Sequence, residues 1–99
     1  MTLDQMLTFV ESIERAPRRL NPTFSAIENK LSQRRDLHAM LLLDSLLPSE
    51  TDIIGSSRHD EFWFSVEPAE LAAVITKDQI VELLACGVMI SGDGLSMFA

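Results

Sequence analysis

Residues 37–47 read Leu37-His-Ala-Met-Leu-Leu-Leu-Asp-Ser-Leu-Leu47, an apolar run that only His38, Asp44 and Ser45 interrupt. Its apolar residues are good helix formers without a branch at the β-carbon. A run this apolar leaves no polar face wide enough for a surface helix, so it predicts the buried centre of the domain. The run ends before a proline and is shorter than the roughly 20 residues that cross a membrane. Leu42, Leu43 and Leu46 should be almost fully buried.

The segment before this run predicts the first half of the same helix. Asn21 fits an N-cap and Pro22 the first helical position. Three apolar residues then follow at helical spacing: Phe24, Ile27 and Leu31. A continuous helix over residues 22–47 would be roughly 39 Å long at 1.5 Å per residue, so we expect either a bend near residues 34–36 or an exposed first half.

The N-terminus predicts another helix, from about residue 3 to residue 16. Thr2 and Gln5 fit a capping box, and apolar residues recur at helical spacing behind them. Arginines gather near its end, at Arg15, Arg18 and Arg19, where cations complement the helix dipole. The same arginines could instead bind an acidic partner. Residues 1–47 are therefore predicted to form a helical hairpin.

The C-terminal half predicts a mixture of strands and helices. Its elements are a loop over residues 48–61, a strand over 62–66, helices over 69–75 and 77–86, and a hairpin over 88–98. Thr76 and Gln79 fit a second capping box, and Asp93-Gly94 is a hairpin-turn signal. We predict one α+β domain, mostly helical, over residues 1–99. It has a long central helix and a winged-helix-like C-terminal half with a small antiparallel sheet.

The net charge of −7 lies entirely in the C-terminal half. Residues 1–47 hold six acids and six bases, whereas residues 48–99 hold nine acids and only Arg58 and Lys77 as bases. Such a field repels phosphate and attracts basic partners, although an acidic surface also serves solubility alone. The predicted recognition helix, residues 77–86, has one base against two acids, which disfavours direct contact with nucleic acid.

No residue pattern indicates catalysis, a cofactor or a metal. His59, Asp60 and Glu61 are adjacent in one loop, but such close neighbours rarely converge on one ion. His38 is interpreted as a buried histidine with satisfied hydrogen bonds, and Cys86 as inert packing. A single cysteine forms no internal disulfide, and the N-terminus lacks the features of a signal peptide. We therefore expect a cytoplasmic protein that is not an enzyme and does not enter membranes.

Trp63 is the strongest candidate for a binding residue. Strand alternation sends Phe62 and Phe64 to one face and Trp63 to the other. An exposed tryptophan beside acidic residues is typical of an interface, although a helix or loop could also cover it. The predicted protein-binding set is Trp63, Asp60, Glu61, Glu67 and Glu70. It would form either a homodimer seam or the docking site for a basic partner, and Trp63→Ala should abolish association without changing the thermal midpoint.

Several short pieces of the chain resemble small uncharacterised proteins of tailed phages and prophages. The matching pieces are Leu41-Leu-Leu-Asp44, Asp52-Ile-Ile-Gly55, His59-Asp-Glu61, Val66, Ile75-Thr76, Cys86-Gly-Val88 and Leu95-Ser-Met-Phe98. The resemblance implies a phage or prophage setting, and in that case the cytoplasm of the host. It transfers no functional residue.

Two functions follow from these observations as hypotheses. The first is a non-enzymatic acidic protein that binds a basic host or defence protein, as an inhibitor of host defence would. The second is a winged-helix-like transcription regulator that contacts phosphates through arginines of the first half. Those arginines are Arg15, Arg18, Arg19, Arg34 and Arg35.

Overall fold

The computed structural model describes residues 1–98 of the chain. These residues form four α-helices and four β-strands. The helices are α1 (Leu3–Glu14), α2 (Arg35–Leu46), α3 (Pro68–Val74) and α4 (Lys77–Ala85). The strands are β1 (Ile54–Arg58), β2 (Glu61–Phe64), β3 (Met89–Ser91) and β4 (Gly94–Phe98). The prediction of an α+β fold is confirmed.

The predicted first helix and its cap are confirmed. The hydroxyl of Thr2 accepts the Gln5 N–H at 3.1 Å, and the Gln5 side-chain oxygen accepts the Thr2 N–H at 2.8 Å. These two bonds satisfy N–H groups that a helix start leaves without partners. Helix α1 buries Met6 and Val10 and ends at Glu14, two residues before the predicted end.

The prediction of one long helix over residues 22–47 is wrong. Helix α2 begins at Arg35, and before it the chain forms only two short 3-10 turns, Arg18–Leu20 and Phe24–Ala26. A straight helix of roughly 39 Å would exceed the 37 Å longest dimension of the molecule. The segment folds back instead, so that Ile27 is buried and Leu31 is exposed.

Helix α2 has a buried face and an exposed face, and the exposed face carries two leucines among polar residues. His38, Ala39, Leu42 and Leu43 are buried, as expected for the centre of the core. Leu46 is only half-buried, so its predicted burial is wrong. Leu37 and Leu41 are exposed, although the run predicted burial on all sides.

The four strands form one antiparallel sheet in the order β1-β2-β4-β3. The prediction of a structureless loop over residues 48–61 is wrong, because β1 lies inside it and pairs with β2. The predicted strand over 62–66 is β2, and the predicted hairpin is β3–β4. Strand β1 is an edge strand, and all five of its residues are exposed.

Helices α3 and α4 lie between β2 and the β3–β4 hairpin along the chain. The second capping box is confirmed: the Thr76 hydroxyl accepts the Gln79 N–H at 3.2 Å. Gly87, with φ of 92°, follows the helix end in the left-handed conformation that glycine adopts easily. Apart from β1, the element order agrees with the predicted plan for this half, whereas its winged-helix character stays a prediction.

Candidate protein-binding face

The sheet has one face in the core and one face outside it. Side chains alternate along a strand, and paired residues point to the same side. The inner face carries Phe64, Ile90, Leu95 and Met97, all of which are buried in the hydrophobic core. The opposite side, here called the outer sheet face, carries Glu61, Trp63, Met89, Ser96 and Phe98.

Trp63 lies at the centre of the outer sheet face and is half-buried. The register places it beside Ser96 on β4, which in turn pairs with Met89 on β3. A β-carbon added to Gly94 would lie 3.3 Å from Cε3 of Trp63, so the indole rests on the glycine backbone. The strand therefore points Trp63 away from the core, as alternation predicts, while β4 covers part of its ring.

Glu61 is fixed on the same face by a hydrogen bond. The Ser96 hydroxyl, which is 2% exposed, donates to Oε2 of Glu61 at 2.9 Å. Arg58 pairs with Glu61 across the β1–β2 hairpin, yet within residues 1–98 no ion pair joins them at 4.0 Å or less. The carboxylate thus stays available to a cation from outside the chain.

A groove of about 740 Å³ runs from the outer sheet face to the end of α1. This volume falls in the range of binding pockets, roughly 300–1,000 Å³. The groove, here called the Trp63 groove, has polar and apolar walls in about equal shares and contains two carboxylates, Glu14 and Glu61. Its other lining residues are Ile13, Asn21, Pro22, Trp63, Leu84, Gly87, Val88, Met89, Ile90, Ser91 and Ser96. None of the described residues that line it is lysine or arginine.

Two further apolar side chains extend this surface towards solvent. Phe98 is 64% exposed and pairs with Glu61 across β2 and β4, and Met89 is 39% exposed at the β3 edge. Large exposed apolar side chains that are contiguous with a groove are characteristic of interaction surfaces. The outer sheet face therefore combines aromatic area, a fixed carboxylate and an adjoining groove.

The five predicted binding residues do not form one cluster. Trp63 and Glu61 lie together, whereas Asp60 is in the exposed turn between β1 and β2 and does not line the groove. Glu67 is the N-cap of α3 and accepts the Ala69 N–H at 3.5 Å, and Glu70 is exposed in the first turn of that helix. These three carboxylates contribute to the acidic field and not to the lining of the groove.

Sequence reasoning missed Glu14, Ser96, Met89 and Phe98. Alternation along β4 could have placed Phe98 on the side of Trp63, because it follows the buried Met97. Glu14 belongs to α1 and reaches the groove only through tertiary packing, so no local sequence signal could have indicated it.

Some of the predicted DNA-contacting elements have neighbours within the chain. Helix α4 faces residues 22–29 across a pocket of about 280 Å³, which Asp78, Val81, Glu82 and Ala85 line from the helix side. Arg15 forms an i,i+4 ion pair with Glu11, and Arg34 lies 3.9 Å from Asp36.

His38 is completely buried and makes contacts on both sides of its ring. Its Nδ1 accepts the Leu31 N–H at 3.0 Å, so the proton belongs on Nε2, which lies 3.4 Å from Oε2 of Glu82. Phe24 packs edge-on against the ring, with the centroids 5.9 Å apart. These contacts join α2 to α4 and to residues 15–34, here called the irregular segment, so His38 has a structural role.

Cys86 is buried at the end of α4. Burial raises the pKa of its thiol to about 11, with a further increase from Glu82 and a small decrease from Arg35. Thiolate is the reactive form, so this shift lowers its fraction at pH 8 by about a hundredfold.

Iodoacetamide at pH 8 should therefore leave Cys86 unmodified in the folded protein and alkylate it rapidly in guanidinium chloride. Mass spectrometry of timed samples measures both rates. The matched variant Ser91→Cys, on an exposed strand position, should react at the introduced thiol in the folded state. Equal rates for Cys86 and the introduced cysteine would contradict this interpretation.

The described residues contain no group of three histidine, cysteine or acidic side chains arranged to hold a metal ion. Among residues 1–98 there is also no helix that combines the length and apolar character needed to cross a membrane. No protein-family model matches the chain, and no curated protein or solved structure matches it either.

Proposed function

We propose that the chain is a non-enzymatic binding protein whose outer sheet face and Trp63 groove hold a basic segment of another protein. The observation that carries the proposal is the lining of the groove, which pairs one tryptophan and two carboxylates without a cation. An arginine or lysine side chain could stack on the indole and reach Glu61. Cation–π contacts of this kind act within about 6 Å of the ring centroid.

The negative net charge of the chain also favours a basic partner. The net charge of −7 would accelerate the approach of a basic protein, and salt would weaken this steering. Once a basic side chain is bound, the indole of Trp63 would shield one side of the contact between Glu61 and the incoming cation from water, which strengthens that contact.

The resemblance to phage proteins suggests which class of protein the partner belongs to. In a phage or prophage setting, the basic protein would belong to the host or to its defence system. Many such proteins bind nucleic acid through basic surfaces, so an acidic protein docked there would compete with the nucleic acid. The proposed role is therefore inhibition of a host function by occupation of a basic surface.

A hexa-arginine peptide is a suitable probe, and Trp63 reports its binding because it is the only tryptophan. Titration should change the emission of Trp63 in a saturable, salt-sensitive way. Glu61→Gln should weaken binding by about tenfold, since it removes one charge next to the indole. The amide oxygen of the new side chain can still accept the hydrogen bond from Ser96, so the fold is retained.

The matched control is Glu70→Gln, which removes the same charge from α3, outside the groove. It should leave the affinity almost unchanged. If both variants weaken binding equally, only the general acidic field attracts the peptide and the groove proposal fails. A mobility-shift assay with random duplex DNA tests the regulator hypothesis, and tight salt-dependent binding there would favour that hypothesis instead.

Trp63→Ala should also abolish binding, but it is a less clean variant than the sequence suggested. The predicted unchanged thermal midpoint assumed a fully exposed ring, whereas the indole rests on Gly94 and is half-buried. Some loss of stability is therefore expected. Glu61→Gln is for this reason the decisive substitution.

A further inference from the structure

The exposed face of α2 carries a self-complementary pattern. Leu37 and Leu41 are 37% and 40% exposed, although they belong to the most apolar run of the chain. The opposite face of the helix already fills the core, so these leucines have no role in it. Arg34 precedes them and Asp44 follows them, and both are exposed.

Leu37, Leu41 and Asp44 share one stripe of the helix, because they are separated by four and three residues, the spacing at which side chains line up along a helical face. Arg34 is the N-cap residue of α2 and lies at the N-terminal end of this stripe, with an extended backbone. The stripe thus has a cation at the start of α2, two leucines in the middle and a carboxylate in the last turn. We call these residues the α2 stripe.

Two copies of the α2 stripe match when they run antiparallel. A two-fold axis midway between Leu37 and Leu41 brings Leu37 of one copy against Leu41 of the other. The same axis brings Arg34 of each copy against Asp44 of the other, so that both ion pairs form at once. Antiparallel packing also sets the positive end of each helix dipole beside the negative end of its neighbour.

We propose that the chain forms a homodimer through the α2 stripe. A two-fold interface uses the same surface on both subunits and therefore requires such self-complementarity. The ion pair that Arg34 makes within its own chain is long, 3.9 Å to Asp36, and both side chains are largely exposed. Exchanging it for Asp44 of the second copy costs little.

Helix α2 has 12 residues, about 18 Å in length, so the interface is small and self-association should be weak. No α2 residue lines the Trp63 groove, so the two surfaces are separate.

The test exchanges the charges of the stripe. Arg34→Asp and Asp44→Arg should each weaken self-association by more than about tenfold, because each places two like charges opposite each other in the dimer. A one-to-one mixture of the two variants should dimerise again. In the mixed dimer the introduced aspartate of one chain meets the introduced arginine of the other, and the remaining pair is native. Sedimentation velocity over a concentration series measures all three samples.

Both substitutions place a residue that favours helix formation at its end of α2, so each variant should fold and a loss of folding does not confound the result. Aspartate is a favoured N-cap residue, and arginine in the last turn complements the dipole. The matched controls Arg19→Asp and Asp60→Arg carry the same charge changes at exposed positions elsewhere and should dimerise like the wild type. Leu41→Glu should be monomeric. A monomeric wild type at millimolar concentration, or a mixture that stays monomeric, would overturn the proposal.

Discussion

Leu43→Ala should lower the free energy of unfolding by about 2–5 kcal/mol, the range found for leucine-to-alanine changes in well-packed cores. Leu43 is 1% exposed on the inner face of α2 and belongs to the hydrophobic core. The substitution removes buried apolar surface and leaves a cavity that the surrounding helices and sheet can close only in part. A domain of this size has about 5–15 kcal/mol of stability in total, so the loss should be obvious in urea denaturation.

The control lies two residues away on the same helix. Leu41→Ala removes the same atoms from an exposed position and should change stability by about 0.5 kcal/mol or less in dilute, monomeric protein. The contrast between the two variants separates burial from helix propensity, which is identical in both. An unchanged denaturation midpoint for Leu43→Ala would mean that residues 37–47 are not the centre of the core.

The elements that were predicted correctly are determined by interactions between residues close in sequence. The two capping boxes, at Thr2 and Thr76, fix helix starts through bonds between residues three apart, and both are present. The β3–β4 hairpin likewise depends on a short turn, although its two turn residues are Gly92 and Asp93 and not Asp93 and Gly94. Such signals need no information from distant parts of the chain.

The helix prediction for the segment before α2 failed because its helical spacing competes with other local preferences. Phe24, Ile27 and Leu31 follow a helical pattern, but serine, threonine and asparagine side chains within and beside this segment can bond to the backbone in non-helical conformations. The Ser32 hydroxyl accepts the Arg34 N–H at 3.0 Å in this way. Tertiary contacts then decide the conformation, which packs against α2 and α4.

Strand β1 was missed because its composition is that of a loop. Gly55, Ser56 and Ser57 have low strand propensity, and the register shifts between Ile54 and Ser56, where Gly55 lies. The turn that follows places His59 at a φ of 57°, which few non-glycine residues adopt. Pairing with the aromatic strand β2 determines this strand, so propensity could not reveal it.

The candidate site was predictable only in its central residue. Alternation in β2 placed Trp63 outside the core, and adjacency placed Glu61 beside it. The support of the indole by Gly94, the bond from Ser96 and the contribution of Glu14 depend on strand register and helix packing. Conversely, Glu67 and Glu70 were grouped with Trp63 because they are near in sequence, but they belong to α3.

His38→Ala should lower the free energy of unfolding by about 2–5 kcal/mol, the second large effect expected. The substitution removes a fully buried ring, and it leaves the Leu31 N–H without its acceptor at Nδ1. It also ends the edge contact with Phe24 and the approach to Glu82. The contacts with Leu31 and Phe24 hold the irregular segment, so that segment should loosen first.

Amide hydrogen exchange distinguishes the hydrogen bond from the packing. In the wild type, the Leu31 amide should be protected far above its neighbours in this turn-rich segment, because its acceptor is buried. His38→Asn places an amide oxygen where Nδ1 was and should retain part of that protection, whereas His38→Ala should lose it. If the two variants lose protection equally, ring packing and not the bond from Leu31 to Nδ1 holds the segment against α2.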